Sequence, residues 1–421
     1  MKIFLPLYAL ALLFLAPRLS LWLDEILTLI GAVEPNTSAL LDYIKTVPGG
    51  SPLAFLAPRW SIQLLSHSTF AARLPSVIAS VAACPAIYLL AQRMKLRTPL
   101  LAVVVFALWP LQLRYAVEAR PYALALALSV WSTEVFLSLR ERPSRLWIYA
   151  LLTALASLTQ PYAIFLAAAH LAWAFFYDRP SLRAPLAGIA LSALLLVPWY
   201  AHFRADWAAI TADQQLASFD PRSALVVLHE ISGSGYAGTA ILFLGAALGL
   251  RRTSELRNFW LICLIAIPLA VFTTNAALHY FFATRQLIYI LPALALLFTL
   301  GTEPRPSGSG QAGKLLLLTF LAASLYEDVQ WFRKPREDWQ AAANALQREV
   351  TNGACVSFLA DTTPVYLYFH PQLAAHLCAG PQDRVVIATS PYIPSSNYAP
   401  PGLTLKAEQS FNGPRIEVFA K

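Results

Sequence analysis

Apolar residues along this chain fall in long blocks, separated by short polar or basic connectors. The blocks lie at about 3–23, 74–91, 99–113, 121–139, 145–159, 161–177, 183–201, 237–250, 258–275, 285–301 and 314–330, eleven in all. A helix crossing a bilayer needs about 20 apolar residues, so the pattern predicts an α-helical polytopic membrane protein with about eleven transmembrane helices. Lys2 precedes the first block and no small-x-small cleavage pattern follows it. That predicts a retained first span rather than a signal peptide, with Trp22 in the interfacial aromatic belt.

The connectors set the orientation. With Lys2 inside, alternate loops carry Arg93, Lys95 and Arg97; Arg140, Arg142 and Arg145; Arg179 and Arg183; Arg251, Arg252 and Arg257; and Arg305 and Lys314. All of these then fall on the cytoplasmic side, as the positive-inside rule requires. The same choice places Asp24, Glu25 and the tail outside the cytoplasm. The first outer loop, 24–73, holds Leu40, Leu41, Ile44 and Val47 at helical spacing, then Leu53, Phe55, Leu56, Trp60 and Leu64. These patches are too short to span and predict helices lying in the interface. Further outer loops are 114–120, 202–236 and 276–285, and residues 301–313 form a Gly/Pro/Ser linker.

The tail has a different rhythm. Helical spacing covers Asp338 to Val350, and short strand patterns cover 354–359, 385–389, 403–411 and 415–420, with Asn412-Gly413-Pro414 as a turn between the last two. The organisation expected is therefore a transmembrane module over 1–332, including the loop 24–73, and a small extracytoplasmic α/β domain over 333–421.

Composition agrees with a membrane protein. Of 421 residues, 57% are hydrophobic and 13% charged, against roughly 25% charged in soluble domains. The net charge of +8 is no nucleic-acid signature, because the basic residues sit in short clusters between apolar runs. Of the four cysteines, Cys84 and Cys263 read as small core hydrophobes. Cys355 and Cys378 lie in the polar tail, and an outside tail predicts a disulfide between them.

Candidate chemistry gathers at the outer face. Asp24 and Glu25 stand side by side where the first apolar block ends. Charges at a membrane edge are rare and usually functional, and such a pair suits a base, a metal ligand or a substrate ligand; a solvated interfacial pair is the plain alternative. Glu118 adds a third carboxylate. Arg114, Arg120 and Arg285 could fork onto phosphate oxygens, with Tyr280 just ahead of Arg285. Arg114 and Glu118 could equally form an i,i+4 pair, and Arg285 could simply snorkel. Glu134, inside a block near its cytoplasmic end, reads as a snorkelling or structural hydrogen-bonding group rather than a proton relay. His170 and His229 read as core residues, and Asn36-Thr37-Ser38 matches a glycosylation sequon that is frequent by chance. The Gly233-Ser234-Gly235-Tyr236-Ala237-Gly238 run lacks the preceding strand that a dinucleotide fingerprint needs.

An ordered series of motifs resembles a known family. It runs Trp22-Leu23-Asp24-Glu25-Ile26-Leu27-Thr28, Ser51-Pro52-Leu53-Ala54-Phe55, Ala72-Arg73-Leu74-Pro75-Ser76, Glu118-Ala119-Arg120-Pro121-Tyr122-Ala123 and Arg285-Gln286-Leu287-Ile288-Tyr289-Ile290-Leu291-Pro292. Over about residues 1–330 the chain resembles a bacterial GT-C glycosyltransferase of the family-39 type, whose members include protein O-mannosyltransferases and the lipid A aminoarabinose transferase. Ser51 departs from relatives that often carry histidine or proline there.

The resemblance implies a multi-pass inner-membrane enzyme that takes a sugar from a polyprenyl-phosphate donor and gives it to a hydroxyl acceptor on a lipid, glycan or protein. It implies Asp24 as catalytic base, Glu25 beside it, Glu118, Arg120 and Tyr122 in a second catalytic loop, and Arg285 on the lipid phosphate. Arg114 and Tyr280 join the donor-phosphate set from the bottom-up reading. No cofactor is expected to be required. A divalent ion, if one is used, would sit between Asp24 and Glu118, because hard cations want oxygen ligands. Two other readings use the same residues: a transporter or flippase of lipid-linked sugars, and an inactive scaffold of envelope assembly. Charges clustered at one face rather than at the midplane favour the transferase over the transporter.

Overall fold

The computed structural model describes residues 1–47, 50–213, 219–252, 256–304, 310–359, 362–380, 382–389 and 400–421, with backbone alone for 198 and 200–213. Arg305 of the cytoplasmic loops, part of the loop 202–236 and the middle of the 301–313 linker lie outside the described residues. In chain order the helices are α1 (Phe4–Leu15), α2 (Leu23–Ala32), α3 (Thr37–Thr46), α4 (Pro52–Leu64), α5 (Thr69–Arg93), α6 (Pro99–Ala107), α7 (Pro110–Ala116), α8 (Tyr122–Ser138) and α9 (Leu146–Thr159). They continue as α10 (Ile164–Tyr177), α11 (Arg183–Asp213), α12 (Ser223–Glu230), α13 (Gly235–Leu250), α14 (Arg257–Ala277), α15 (Leu291–Thr302), α16 (Gln311–Arg333), α17 (Trp339–Thr351) and α18 (Thr363–Phe369). Four strands complete the chain: β1 (Cys355–Phe358), β2 (Arg384–Thr389), β3 (Thr404–Ser410) and β4 (Arg415–Ala420).

Every one of the eleven apolar blocks is helical. By length and composition five described helices can each cross a membrane alone, and up to eight spans arise if bent helix pairs count as single crossings. The helices of Tyr122–Ser138 and Pro161–Tyr177 are shorter but apolar. The chain is thus a multi-pass membrane protein. The two interfacial patches of the loop 24–73 are the helices α3 and α4. Asn36, the sequon asparagine, caps α3 by accepting from the Ala39 N–H at 2.9 Å.

The chain divides into two compact units, residues 1–16 with 36–331 and residues 17–35 with 332–421. The segment 17–35 groups with residues 332–421.

The first unit is a helical bundle with tight internal crossings. Gly245 and Gly249 of α13 meet Gly301 of α15 so closely that a Cβ on any of them would collide with the facing chain. Small residues give such close approach between membrane helices, where packing rather than the hydrophobic effect drives association. Several buried charged groups are paired. Arg73, fully buried, donates to the Ala16 carbonyl at 2.6 Å. Glu134 accepts from Arg93 at 3.3 Å, the structural role expected of it. Arg140 donates to Asp178 at 2.8 Å. Burial alone would raise the Asp178 carboxyl, but hydrogen bonds from Arg140 and Ser181 outweigh it and hold the group below the ordinary range. His170 is fully buried against Phe136 and bonded to Tyr149, as expected. His229 is not a core residue: it is exposed, with its ring edge-on to Tyr236, because α12 is a short helix with little buried surface.

The second unit is α/β. Its sheet has the order β1-β2-β4-β3, with β1 and β2 parallel and the other pairs antiparallel. The predicted strands and the helix over 338–350 are present, while α18 is an addition. Period-2 alternation splits the sheet's side chains. Val356, Val386, Ala388, Ile416 and Val418 face one core; Val385, Ile387 and Phe419 face a smaller one. Cys355 and Cys378 form the expected disulfide beside that smaller core, and Cys84 and Cys263 are buried free thiols.

The main core also takes in α2. Leu23, Ile26, Leu27 and Ile30 recur at helical spacing on one stripe, and Ile26 is fully buried with Trp339, Leu346 and Tyr366. Burying an isoleucine of this kind contributes about 1.5–3 kcal/mol. That stripe is why residues 17–35 group with the tail.

Candidate active site

The sequence-predicted residues fall in two sets, one in each unit. In the first unit, α7 ends at Ala116 and a tight turn carries Val117 to Pro121 before α8 begins. Pro121 cannot continue the ladder of a preceding helix, and the Ser76 hydroxyl donates to the Arg120 carbonyl at 3.3 Å, pinning the turn to α5. Glu118 is buried. The guanidinium of Arg120 lies over the Tyr122 ring at 5.8 Å. Tyr122 in turn packs on Tyr115, with ring centroids 4.5 Å apart.

Tyr115 is the hub. Its hydroxyl lies within electrostatic reach of Tyr122, Arg285, Glu118 and Arg120 together. One carboxylate, two guanidiniums and two phenols therefore converge here, drawn from α7, the following turn, α8 and the segment after α14. An apolar cleft adjoins Arg120, lined by Leu53, Ala57, Ala72, Pro75 and Leu124 among others.

Arg285 lies at the start of a short 3-10 helix, Thr284–Ile290, and the stretch from Tyr280 into it is clamped by side chains. Asn275, fully buried near the end of α14, donates to the Phe281 carbonyl at 3.1 Å and to Gln286 Oε1 at 2.7 Å. Gln286 returns a bond to the Phe281 carbonyl at 3.1 Å and accepts from the Ala283 N–H at 3.1 Å. Tyr162 donates to Asn275 Oδ1. Thr284 donates to Glu230 at 2.6 Å. Arg285 emerges from this clamp with its guanidinium 5.2 Å from the Phe281 ring, and Tyr280 stacks on the same phenylalanine at 4.4 Å.

Arg114 takes a neighbouring position. It lies over the Trp331 ring at 5.6 Å and within electrostatic reach of Asp328 on α16. Asp328 is buried in that last apolar helix; it sits within reach of Tyr8, which Gln112 also approaches.

In the second unit, Asp24 and Glu25 open α2. The Thr28 hydroxyl donates back to the Asp24 carbonyl at 2.9 Å. Glu25 is fully buried and lies 3.8 Å from the Arg336 guanidinium. Asp24 is half-buried. Among the described residues no three His, Cys, Asp or Glu side chains gather into a group that could hold a metal ion.

Sequence reasoning does not single out Tyr115, Asn275, Gln286, Arg336 or Glu337. Tyr115 is one of 17 tyrosines, and nothing in its spacing marks it as a hub. Gln286 carries a faint signal, a polar amide immediately after Arg285 at the start of an apolar block.

Comparison with known proteins bears on this geometry. The family profile described as dolichyl-phosphate-mannose-protein mannosyltransferase matches residues 48–202, a little over a third of the chain. No curated protein sequence matches. The fold is similar to the crystal structure of ArnT from Cupriavidus metallidurans bound to undecaprenyl phosphate, with a TM-score of 0.63 at 12% identity, covering 100% of this chain and 97% of that one. The apo state of the same ArnT gives 0.61 at 11% identity, with the same coverage. The Archaeoglobus fulgidus oligosaccharyltransferase tethered to an acceptor peptide gives 0.53 at 14% identity, covering 89% of this chain and 63% of that one. The chain has the fold of these proteins and resembles the GT-C glycosyltransferases of family 39.

Proposed function

We propose that the chain is a membrane glycosyltransferase that moves a sugar from a polyprenyl-phosphate donor to a hydroxyl acceptor on the extracytoplasmic face of the inner membrane. The observation that carries this reading is the convergence of Glu118, Arg120, Tyr122 and Arg285 around Tyr115, in a fold shared with an ArnT that binds undecaprenyl phosphate. Two half-buried arginines suit a lipid phosphate. Charge-assisted, forked hydrogen bonds to phosphate are the strongest that side chains offer, and they gain further where water is excluded.

The chemistry follows from the groups available. Asp24 takes the proton from the acceptor hydroxyl as its oxygen attacks the anomeric carbon. The bond from that carbon to the phosphate oxygen breaks, and the electron pair leaves with the polyprenyl phosphate. That leaving group is a stable anion, so a general acid is unnecessary. Arg285 and Arg120 balance the growing phosphate charge, and one direct displacement inverts the anomeric centre. The donor-phosphate set also includes Tyr122 and Tyr280, with Arg114 held further off against Asp328 and Trp331. A divalent ion at Asp24 and Glu118 is not part of this scheme; loss of turnover in chelator, restored by magnesium or manganese, would add one.

The test is to purify the full chain in mild detergent, extract the bound lipid and weigh its head group. The reading expects polyprenyl phosphate with or without a sugar, and release of free polyprenyl phosphate when acceptor lipids are supplied. Translocation of an intact lipid-linked sugar without cleavage would replace it with the flippase reading.

A further inference from the structure

Helix α2 begins without a cap of its own. Trp22 occupies the N-cap position and offers no side-chain acceptor, although the first N–H groups of any helix need partners from outside it. The acceptor comes from 314 residues away: the Leu23 N–H donates to Glu337 Oε2 at 3.1 Å. The same oxygen accepts from the indole of Trp339 at 2.7 Å, and Trp339 is fully buried in the core of the tail. On the other side of Asp24, Glu25 is fully buried and faces the Arg336 guanidinium, itself only 13% exposed, at 3.8 Å. Residues 23 and 25 are thus both tied to the pair at 336 and 337, with Asp24 between them.

We propose that Glu337 and Arg336 are positioning residues for Asp24: by holding the groups on either side of it, they fix the direction of its carboxyl from within the tail domain. This rests on the transferase reading, in which Asp24 is the base. Neither residue touches the reacting atoms. Their effect is on the first turn of α2, whose backbone Glu337 anchors to Trp339 and whose Glu25 side chain Arg336 engages. Misplacing a catalytic group by about 1 Å can cost on the order of 100-fold in rate, so a cap lost here reaches the chemistry even though the sheet stays folded.

The experiment uses the full-length protein and a panel of undecaprenyl-phosphate-linked hexoses and pentoses, reading the release of undecaprenyl phosphate. Glu337→Ala is expected to lower kcat between about 10- and 100-fold while the KM for donor stays the same. Glu337→Gln keeps an oxygen that accepts the Leu23 N–H and should recover most of the rate. Melting temperature and the count of free thiols after denaturation follow whether the tail remains folded. In an Asp24→Asn background, Glu337→Ala should cost nothing more, because residues that act as one unit are not additive. The proposal is overturned by an unchanged kcat in Glu337→Ala, or by a rate that falls only in step with a lowered melting temperature and is not restored by Gln. Full turnover in Asp24→Asn alone would remove Asp24 as the base, and no release by the unaltered protein would remove the transferase reading; both are distinguishable from the results above.

Discussion

The two units of this protein hold their charged groups by opposite means. In the helical unit, Arg120 rides on a turn and Arg285 on the start of a short 3-10 helix, both clamped by amides and carbonyls: Asn275, Gln286 and the Phe281 carbonyl on one side, and the Ser76 bond to the turn of Arg120 on the other. In the tail unit, Asp24 and Glu25 ride on a regular helix whose apolar stripe is buried in an α/β core closed by a disulfide. A bilayer explains the contrast. Hydrocarbon offers no hydrogen bonds, so any non-helical backbone beside it must be satisfied by protein. A water-facing domain can instead rely on burying apolar side chains and on cross-linking its chain.

That contrast can be broken from either side. The largest effect expected is on the tail. Replacing Cys355 or Cys378 with serine opens a loop with a sequence separation of 23 residues and should cost about 3 kcal/mol of tail stability. Differential scanning fluorimetry should show a lowered transition, with turnover falling through α2 and lipid-phosphate binding retained. Next is Arg285→Ala, which should weaken undecaprenyl phosphate by about 2 kcal/mol, or roughly 30-fold, and leave the melting temperature alone. Unchanged donor binding in native mass spectrometry would return Arg285 to simple snorkelling. Gln286→Ala should have a milder effect of the same kind, about 1 kcal/mol or roughly fivefold, because it loosens the clamp without removing the guanidinium.

The smallest effect concerns pH. Glu417 lies directly opposite Glu408 across β4 and β3. Its carboxyl is raised above the ordinary range, first by desolvation and then by Glu408, with Arg415 opposing. A folded-state value raised in this way means that the folded chain holds the proton more tightly than the unfolded one. The stability is therefore fully present in acid and declines as pH rises through the raised value. Glu417→Gln should stabilise the fold slightly near pH 7, by about 0.5 kcal/mol or less, and change nothing near about pH 2, where the carboxyl is protonated in both states.

Much of the architecture was legible in the sequence because its causes are local. Eleven apolar blocks became helices since length and hydropathy decide that over a single window. The helices at 37–46 and 52–64, the four strands and the Cys355–Cys378 bond were also readable. The placement of Asp24 was not. Its helix joins the tail because Ile26 meets Trp339 and Leu346, and no periodicity reaches across some 300 residues. The hub at Tyr115 and the clamp of Asn275 and Gln286 escaped likewise: each is a single common residue whose importance comes only from what other elements bring beside it. His229 was misjudged because an apolar window says a segment is greasy without saying which face is covered.

The central claim is that the half-buried carboxyl of residue 24 takes the acceptor proton. The direct test is turnover of a polyprenyl-phosphate-linked sugar by purified Asp24→Asn beside the unaltered protein. The account predicts a loss of about 100-fold or more, with lipid binding and melting temperature preserved. An Asp24→Asn protein that releases polyprenyl phosphate at the unaltered rate would contradict it.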